Sequence, residues 1–421
     1  MAELHERDRA GLDLRRLLDA VERAQPIDVV DTLAAELSVM VDARRVSLLI
    51  ANFSGDALVR MSHVASPGRH HDGHHERRET LALASSLYER VLHSQQPCVE
   101  PAGDGVSVLL PVTERGDAIG VLEVDVPDWP EADTVAYLRS AAHALAYVLI
   151  ASRRHTDLFE WAQRDQPFSL AAEIQRRLLP GAYTTEGGPF SLAGWLEPAH
   201  DAGGDTFDYA VDRDYLYASL TDAMGHSTEA ALLATLTVGS LRNSRRAQAS
   251  PAEQADAASA ALTAHARADQ FVTGLVLRIR LADGQVEMVN AGHPPPLLLR
   301  DGAIVALDHR PDMPLGVETE RYRTQRVALR PGDRLLMVTD GYLERNAATI
   351  DIGRILVDTP ERHPRQIVQE LARRLHEAAG GPLADDATSF CVDWYGPGGD
   401  RDAHAGASAA RATPVPPTRR R

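Results

Sequence analysis

The sequence predicts an α+β protein built from two domains. Three observations lead there. The chain has 421 residues, enough for two ordinary cores. Strand-like runs and helical runs follow one another irregularly, without the regular alternation of a parallel α/β sheet. A helical stretch over 151–180, interrupted by Pro167, separates two strand-bearing halves.

The first half reads as follows. Residues 1–24 are a charged, partly helical extension. Ile27–Val41 has helical apolar spacing. Arg45–Ala51 and Leu58–Val64 are β runs around a Ser54-Gly55-Asp56 turn. Ser66–Thr80 is polar and loop-like, and Leu81–His93 reads as a helix. Val106–Val112 and Ile119–Val126 form a strand pair joined by Arg115-Gly116-Asp117. A long helix starts at Glu131. Its Val135, Leu138, Ala142, Leu145 and Leu149 fall at alternating steps of three and four, the spacing of a coiled-coil seam. A helix packing on its own sheet has the same spacing, so both readings stand. A second helical piece, Leu170–Leu179, aligns Leu170, Ile174 and Leu178. Asp165 or Gln166 caps its start, just before Pro167.

The second half, 181–396, has strands near 191–197, 214–221, 271–280, 285–290, 324–329, 333–339 and 387–395. Helices fall near 227–245, 251–267 and 364–379. Residues 397–421 turn to Gly, Ala, Pro and Arg with no apolar pattern, and read as a disordered tail.

Composition excludes several functions. A formal charge of -16 argues against a nucleic-acid binder. Every basic residue is Arg, and no Lys occurs. A Walker A loop and a kinase ATP site both need Lys, so both are excluded. Cys98 and Cys391 lie one in each half, which fits a reducing cytoplasm rather than a disulfide framework. Met1–Arg9 lacks an apolar signal core. The most apolar stretch, Ala141–Ala151, falls short of the roughly 20 residues that span a bilayer. The expectation is a cytoplasmic protein with no membrane and no nucleic-acid partner.

Four acidic patches carry the chemistry: Gly203-Gly204-Asp205, Thr221-Asp222-Ala223-Met224-Gly225-His226, Thr339-Asp340-Gly341 and Asp385-Asp386-Ala387-Thr388. Asp-Gly and Gly-Gly-Asp taken singly are ordinary turns. Three of the four adjoin an apolar β run, however, and strand ends hold carboxylates at fixed positions. Such carboxylates suit hard cations such as Mg²⁺ or Mn²⁺, and an ion pair can activate a water for attack on phosphorus.

In their order these patches resemble the SpoIIE/RsbU branch of the metal-dependent protein serine/threonine phosphatases, the protein phosphatase 2C superfamily. The matching text begins at Ile174-Gln175, Leu178-Leu179-Pro180, Glu197-Pro198-Ala199 and Gly203-Gly204-Asp205. It runs on through Asp222 to Gly225-His226, Phe271-Val272-Thr273, Ala291-Gly292-His293-Pro294-Pro295-Pro296 and Pro314-Leu315-Gly316-Val317. It ends with Pro331-Gly332-Asp333, Thr339-Asp340-Gly341 and Asp385-Asp386. The resemblance implies a β-sandwich flanked by helix pairs, with two Mn²⁺ or Mg²⁺ ions at one end. It implies that Asp205, Asp222, the Ala223 carbonyl, Asp340 and Asp385 are the metal-binding and catalytic set. Asp386 stands where relatives have Asn or Asp. Asp208, where relatives often have Asp, binds through water or shapes the loop. His226 is a general-acid candidate by residue type and, in the plainer reading, a structural residue at a helix start. Ser227 replaces the usual Gly there and serves as the helix cap. His293 fixes a loop.

The strand and helix order over 25–150 resembles a GAF sensory domain. His70-His71-Asp72-Gly73-His74-His75 matches no common zinc spacing, and Cys98 reads as an incidental thiol. The resemblance implies a phosphoprotein substrate, an anti-anti-sigma factor with a STAS domain. It also implies control by the N-terminal half and a possible homodimer through the GAF-like domain and the linker helices. The alternatives are a catalytically inactive scaffold and a GAF-type signal-binding protein that acts through partners.

Overall fold

The computed structural model describes residues 14–65, 79–164, 167–199, 203–267, 269–307, 310–318, 321–343, 345–381, 383, 385–399, 403–404 and 407–408. The His70–His75 cluster, the proposed caps Asp165 and Gln166, and most of the tail lie outside these residues. Within the tail, Ala403–His404 pairs with Ala407–Ser408. The chain divides into two units, 168–401 and the remainder.

The N-terminal unit contains α1 (Leu14–Arg23), α2 (Val29–Met40), β1 (Arg45–Ala51), β2 (Ala57–Ala65), β3 (Thr80–Ala82), α3 (Leu87–Ser94), β4 (Cys98–Ala102), β5 (Gly105–Glu114), β6 (Asp117–Val126), α4 (Ala132–Ser152) and α5 (Leu158–Gln163). Its sheet runs β3-β2-β1-β6-β5-β4, all antiparallel. Alternation along β1 divides its side chains between two cores. Val46, Leu48 and Ile50 join α1, α2 and α4 on one face; Leu49 joins α3 on the other.

Two sequence expectations change here. The Leu81–His93 run is a short strand followed by a helix. Leu81-Ala82-Leu83-Ala84 alternates as a strand does, Ser85 takes φ 60°, and the Ser86 side chain accepts from Glu89 N to start α3. The seam residues Leu138, Ala142, Leu145 and Leu149 are all fully buried in the unit's own core, so packing on the sheet accounts for the spacing. Helix α4 has 21 residues and is long and apolar enough to cross a membrane by length and composition. That exceeds the run visible in the sequence, because Ala132–Ser140 adds nearly three turns of mixed composition.

The C-terminal unit contains α6 (Leu170–Leu178), β7 (Thr184–Glu186), β8 (Phe190–Glu197), β9 (Thr206–Val211), β10 (Tyr215–Ala223), α7 (Ser227–Arg246), α8 (Pro251–His265), β11 (Val272–Arg280), β12 (Gln285–Ala291), β13 (Leu297–Arg300), β14 (Ala303–Val305), β15 (Gln325–Ala328), β16 (Arg334–Val338), α9 (Ile352–Asp358), α10 (Pro364–Ala379) and β17 (Ala387–Trp394). Two antiparallel sheets, ordered β15-β12-β11-β10-β9 and β14-β13-β16-β17-β8-β7, form a sandwich. Their inner faces share a core that includes Phe207, Leu220, Leu275, Met337, Phe390 and Trp394. Helices α7 and α8 cover the outside of the first sheet, and α9 and α10 the outside of the second. Cys391 is fully buried beneath α10.

Helix ends follow local chemistry. Ser250 and Glu253 form a capping box at α8, with Pro251 in the first turn. Helix α10 stops at Gly380, which takes φ 61°. At α6 the cap is Ser169, whose side chain accepts from Ala172 N, rather than Asp165 or Gln166. Helix α6 buries Ala171 and Gln175, while Leu170 of the expected apolar stripe is 65% exposed.

Candidate active site

Strand register brings the acidic patches to one end of the sandwich. In the first sheet, Thr206 at the start of β9 opposes Thr221 near the end of β10, and Asp222 opposes Thr273 at the start of β11. In the second sheet, Val338 at the end of β16 opposes Ser389, and Ala387 at the start of β17 opposes Glu197 at the end of β8. Asp205, Asp222, Asp340, Asp385 and Asp386 sit just at or beyond these ends.

Close backbone approaches explain two glycines. A Cβ on Gly204 would lie 2.5 Å from the Ala223 carbonyl oxygen. A Cβ on Gly341 would lie 2.0 Å from the Asp386 carbonyl oxygen. Any side chain at either position would force the patches apart.

Asp205 lies at the junction of the two sheets and is 3% exposed. Its Oδ2 accepts from Thr339 Oγ1 and from Thr388 Oγ1, each at 2.7 Å. Thr388 N in turn donates to Thr339 Oγ1 at 2.8 Å. Both threonines belong to the second sheet. Asp386 accepts from Ala199 N at 2.8 Å and from Gln175 Nε2 at 2.6 Å; the same Gln175 amide donates to the Asp205 carbonyl at 2.9 Å.

The electrostatics are those of a crowded acid cluster. Burial first, then the charges of Asp340, Asp385 and Asp386, push Asp222 up to about 7. Burial and the neighbouring Asp222 and Asp386 raise Asp205 well above the carboxylate range, against the pull of its two threonine donors. Burial pushes Asp386 up to about 6 even with its amide donors. Among the described residues no salt bridge reaches Asp205, Asp222, Asp385 or Asp386. Likewise, no group of three His, Cys, Asp or Glu among them closes into a metal cage. The donor set nonetheless fits a hard divalent cation: carboxylates and one carbonyl, the carboxylates repelling one another.

The other expected residues have different surroundings. Asp208 is turned into an arginine clamp and does not join the cluster. Arg242 Nε and Nη2 donate to it at 3.1 and 2.8 Å, and Arg245 Nη1 at 2.8 Å. His226 is exposed at the N-cap of α7 and makes no side-chain capping bond. Ser227 is not the cap. It is the first helical residue and takes φ 67°, which explains why Gly is usual there. His293 is buried, bonded at 2.9 Å through Nδ1 to Thr273 Oγ1 and held through its backbone by Asn290. Burial pushes its imidazole down to about 4, so it is neutral. Sequence reasoning did not assign roles to Thr339, Thr388 or Gln175. The signal for Thr388 was its place two residues past Asp386, at the start of β17.

Residues 212–395 match the family described as stage II sporulation protein E (SpoIIE). The phosphoserine phosphatase RsbP of Bacillus subtilis (strain 168) is 24% identical over 236 residues, which is 53% of this chain and 57% of that protein. The chain therefore spans little more than half the length of this relative. Solved structures similar to it include the RsbU and RsbW domains of Rv1364c from Mycobacterium tuberculosis, at 24% identity and a TM-score of 0.47, covering 51% of this chain and 63% of that chain. Another is the PP2C phosphatase domain with a regulatory fragment of SpoIIE from Bacillus subtilis, at 18% identity and a TM-score of 0.44, covering 49% and 65%. The match to the SpoIIE family thus falls within the C-terminal unit and spans its strands from β10 to β17.

Proposed function

We propose that this chain is a metal-dependent phosphoserine/phosphothreonine protein phosphatase. The observation that carries the reading is the gathering of Asp205, Asp222, Asp340 and Asp385 at one end of a two-sheet sandwich. Asp205, Asp222, the Ala223 carbonyl, Asp340 and Asp385 would hold two Mn²⁺ or Mg²⁺ ions. When bound, the ions supply positive charge to the phosphoryl group and activate a water.

The chain's own groups have separate tasks. A phosphoester is an anion, and the bare cluster repels it. Asp222, held near 7, must release its proton before it serves as a donor. Asp386 is committed to Gln175 and Ala199. It shapes the loop that presents Asp385, whose Oδ1 accepts from Asp386 N at 2.9 Å. Gly204 and Gly341 let the strand ends approach each other.

The substrate we propose is a phosphorylated STAS-domain anti-anti-sigma protein, in a cytoplasmic setting. The N-terminal unit, read as GAF-like, would control the site through α6, alone or as a homodimer. Support for that route is Gln175, which ties α6 to both Asp205 and Asp386. The test is hydrolysis of a phospho-STAS protein with and without Mn²⁺, run beside an isolated phosphopeptide. Metal-dependent release, faster from the folded protein, supports the reading. No release from either substrate at any Mn²⁺ concentration sinks it.

A further inference from the structure

Asp205 is reached by two hydroxyls, and both come from the opposite side of the sandwich. Thr339 follows the last residue of β16, and Thr388 is the second residue of β17. Their backbones are paired, Thr339 N donating to Thr388 O at 2.9 Å, so the two hydroxyls stand side by side. Both donate to Oδ2 of Asp205. All three side chains are buried, the threonines fully. A carboxylate oxygen that accepts two hydroxyl donors has little capacity left for a cation. Rotation of the carboxylate would break both bonds at once.

We propose that Thr339 and Thr388 are positioning residues of the metal site. They hold Asp205 by its Oδ2 at the sheet junction, which leaves Oδ1 as the oxygen that would serve a cation. The inference rests on the metal-dependent reading above. It gives the second sheet a task beyond supplying Asp340 and Asp385: it sets the aim of a ligand that belongs to the first. Outer-shell partners of ligating carboxylates typically change metal affinity by about 10- to 100-fold when removed.

Thr388 is the cleaner handle. Its hydroxyl donates to Asp205, whereas the Thr339 hydroxyl also accepts from Thr388 N and its loss would orphan a buried amide. The experiment is calorimetric titration of the full chain with Mn²⁺, without substrate. Thr388→Val should weaken binding about 10-fold or more, and Thr388→Ser should restore it to within about threefold. Thr206→Val is the control. Its hydroxyl pairs with Thr221 at 2.6 Å, is as deeply buried, and makes no bond to the Asp205 side chain; it should leave Mn²⁺ affinity unchanged. Thr388→Ala removes the same hydroxyl with less crowding and takes over if the valine variant does not fold. Equal affinity in the unaltered chain and a folded Thr388 variant overturns the positioning role alone. Loss of affinity in Thr206→Val equal to that in Thr388→Val overturns it too, since any buried hydroxyl would then matter. If the unaltered chain takes up no Mn²⁺ at all, the metal-dependent reading fails, and the inference with it.

Discussion

Glu123 and Asp205, one in each unit, are both buried carboxylates on the sheets, yet their surroundings are opposite. Glu123 on β6 is 5% exposed and lies among cations and a phenol: Arg60 Nη1 at 2.5 Å, Tyr88 OH at 2.8 Å and Arg45 Nη2 at 3.5 Å. Burial, and next the charge of Glu123, push the Tyr88 phenol up to about 12, so it stays a donor. Asp205 has hydroxyls on one side and other carboxylates beyond. The first arrangement is electrically closed and needs nothing from outside. The second leaves its charge uncompensated, which is costly in a buried place unless a cation arrives. Asp208, Asp333 and Asp393 resemble Glu123 in this respect, since each is buried or half-buried against arginine. What separates the two kinds of buried acid here is who neutralises them, not how deeply they lie.

The largest expected effects test that division directly. Asp222→Ala and Asp340→Ala should each lower turnover at least roughly 100-fold, the scale of losing one key electrostatic group, while thermal unfolding stays near that of the unaltered chain. Glu123→Ala should do the reverse. It leaves Arg60 buried without its main partner, at a cost of about 3–5 kcal/mol, with turnover per folded molecule unchanged. Steady-state kinetics on the phosphoprotein, paired with urea unfolding, separates the two patterns. Near-normal turnover of Asp340→Ala in excess Mn²⁺ would break the comparison.

Acidity gives an intermediate effect with a definite sign. Asp222 and Asp386 titrate near 7 and near 6 in the folded chain, against about 3.9 for an unfolded Asp. Between these values the folded state holds protons that the unfolded state has released. Their contribution to stability is therefore complete below about pH 4 and lost as pH climbs through 7. In metal-free buffer the pH dependence of unfolding should include this downward slope, and Asp222→Asn, which cannot titrate, should lose its share of it. Mn²⁺ competes with the same protons, so its affinity should rise over the same interval. An Mn²⁺ affinity that is flat from pH 5.5 to 8 would mean that the cluster is not where the metal binds.

The α+β order of the second half was legible because its long strands and capped helices announce themselves locally; the sandwich itself was implied only by the family resemblance. Pro364 and Gly380 bracket α10 at the residues expected from sequence. The short pieces were not legible. Strand β4 contains Pro101, which suits an edge strand but weakens the pattern. Strands β7, β13 and β14 have three or four residues, too few for a period to show. At the site, the aspartates could be found from motif order, because three of the four patches adjoin a β run. The setting of Asp208 was not legible, since its arginines lie a helix away, at 242 and 245. The threonines on Asp205 were hidden for the same reason: residues 205, 339 and 388 meet only through the pairing of two sheets.

The smallest expected effect concerns strain at the acidic end. Ser227 takes φ 67° immediately after Gly225 (φ 95°) and His226, where β10 turns into α7. A left-handed conformation costs an L-residue about 1–2 kcal/mol. Glycine avoids that cost but loses about 0.5–1 kcal/mol of unfolded-chain entropy on ordering. Ser227→Gly should therefore stabilise the C-terminal unit slightly, by about 0.5 kcal/mol, in urea unfolding. Gly225→Ala, at a neighbouring position where an added Cβ would have nothing within 4 Å, meets no clash. It should nevertheless destabilise by about 1 kcal/mol, because φ alone opposes it. The arginine-paired region around Glu123 supplies the contrast, since there β6 pairs in unbroken register with both β1 and β5. If Ser227→Gly instead lowered stability, the Ser227 hydroxyl would have to be bonded in solution. The turn would then be held by side-chain chemistry, as at Glu123, rather than by tolerated backbone strain.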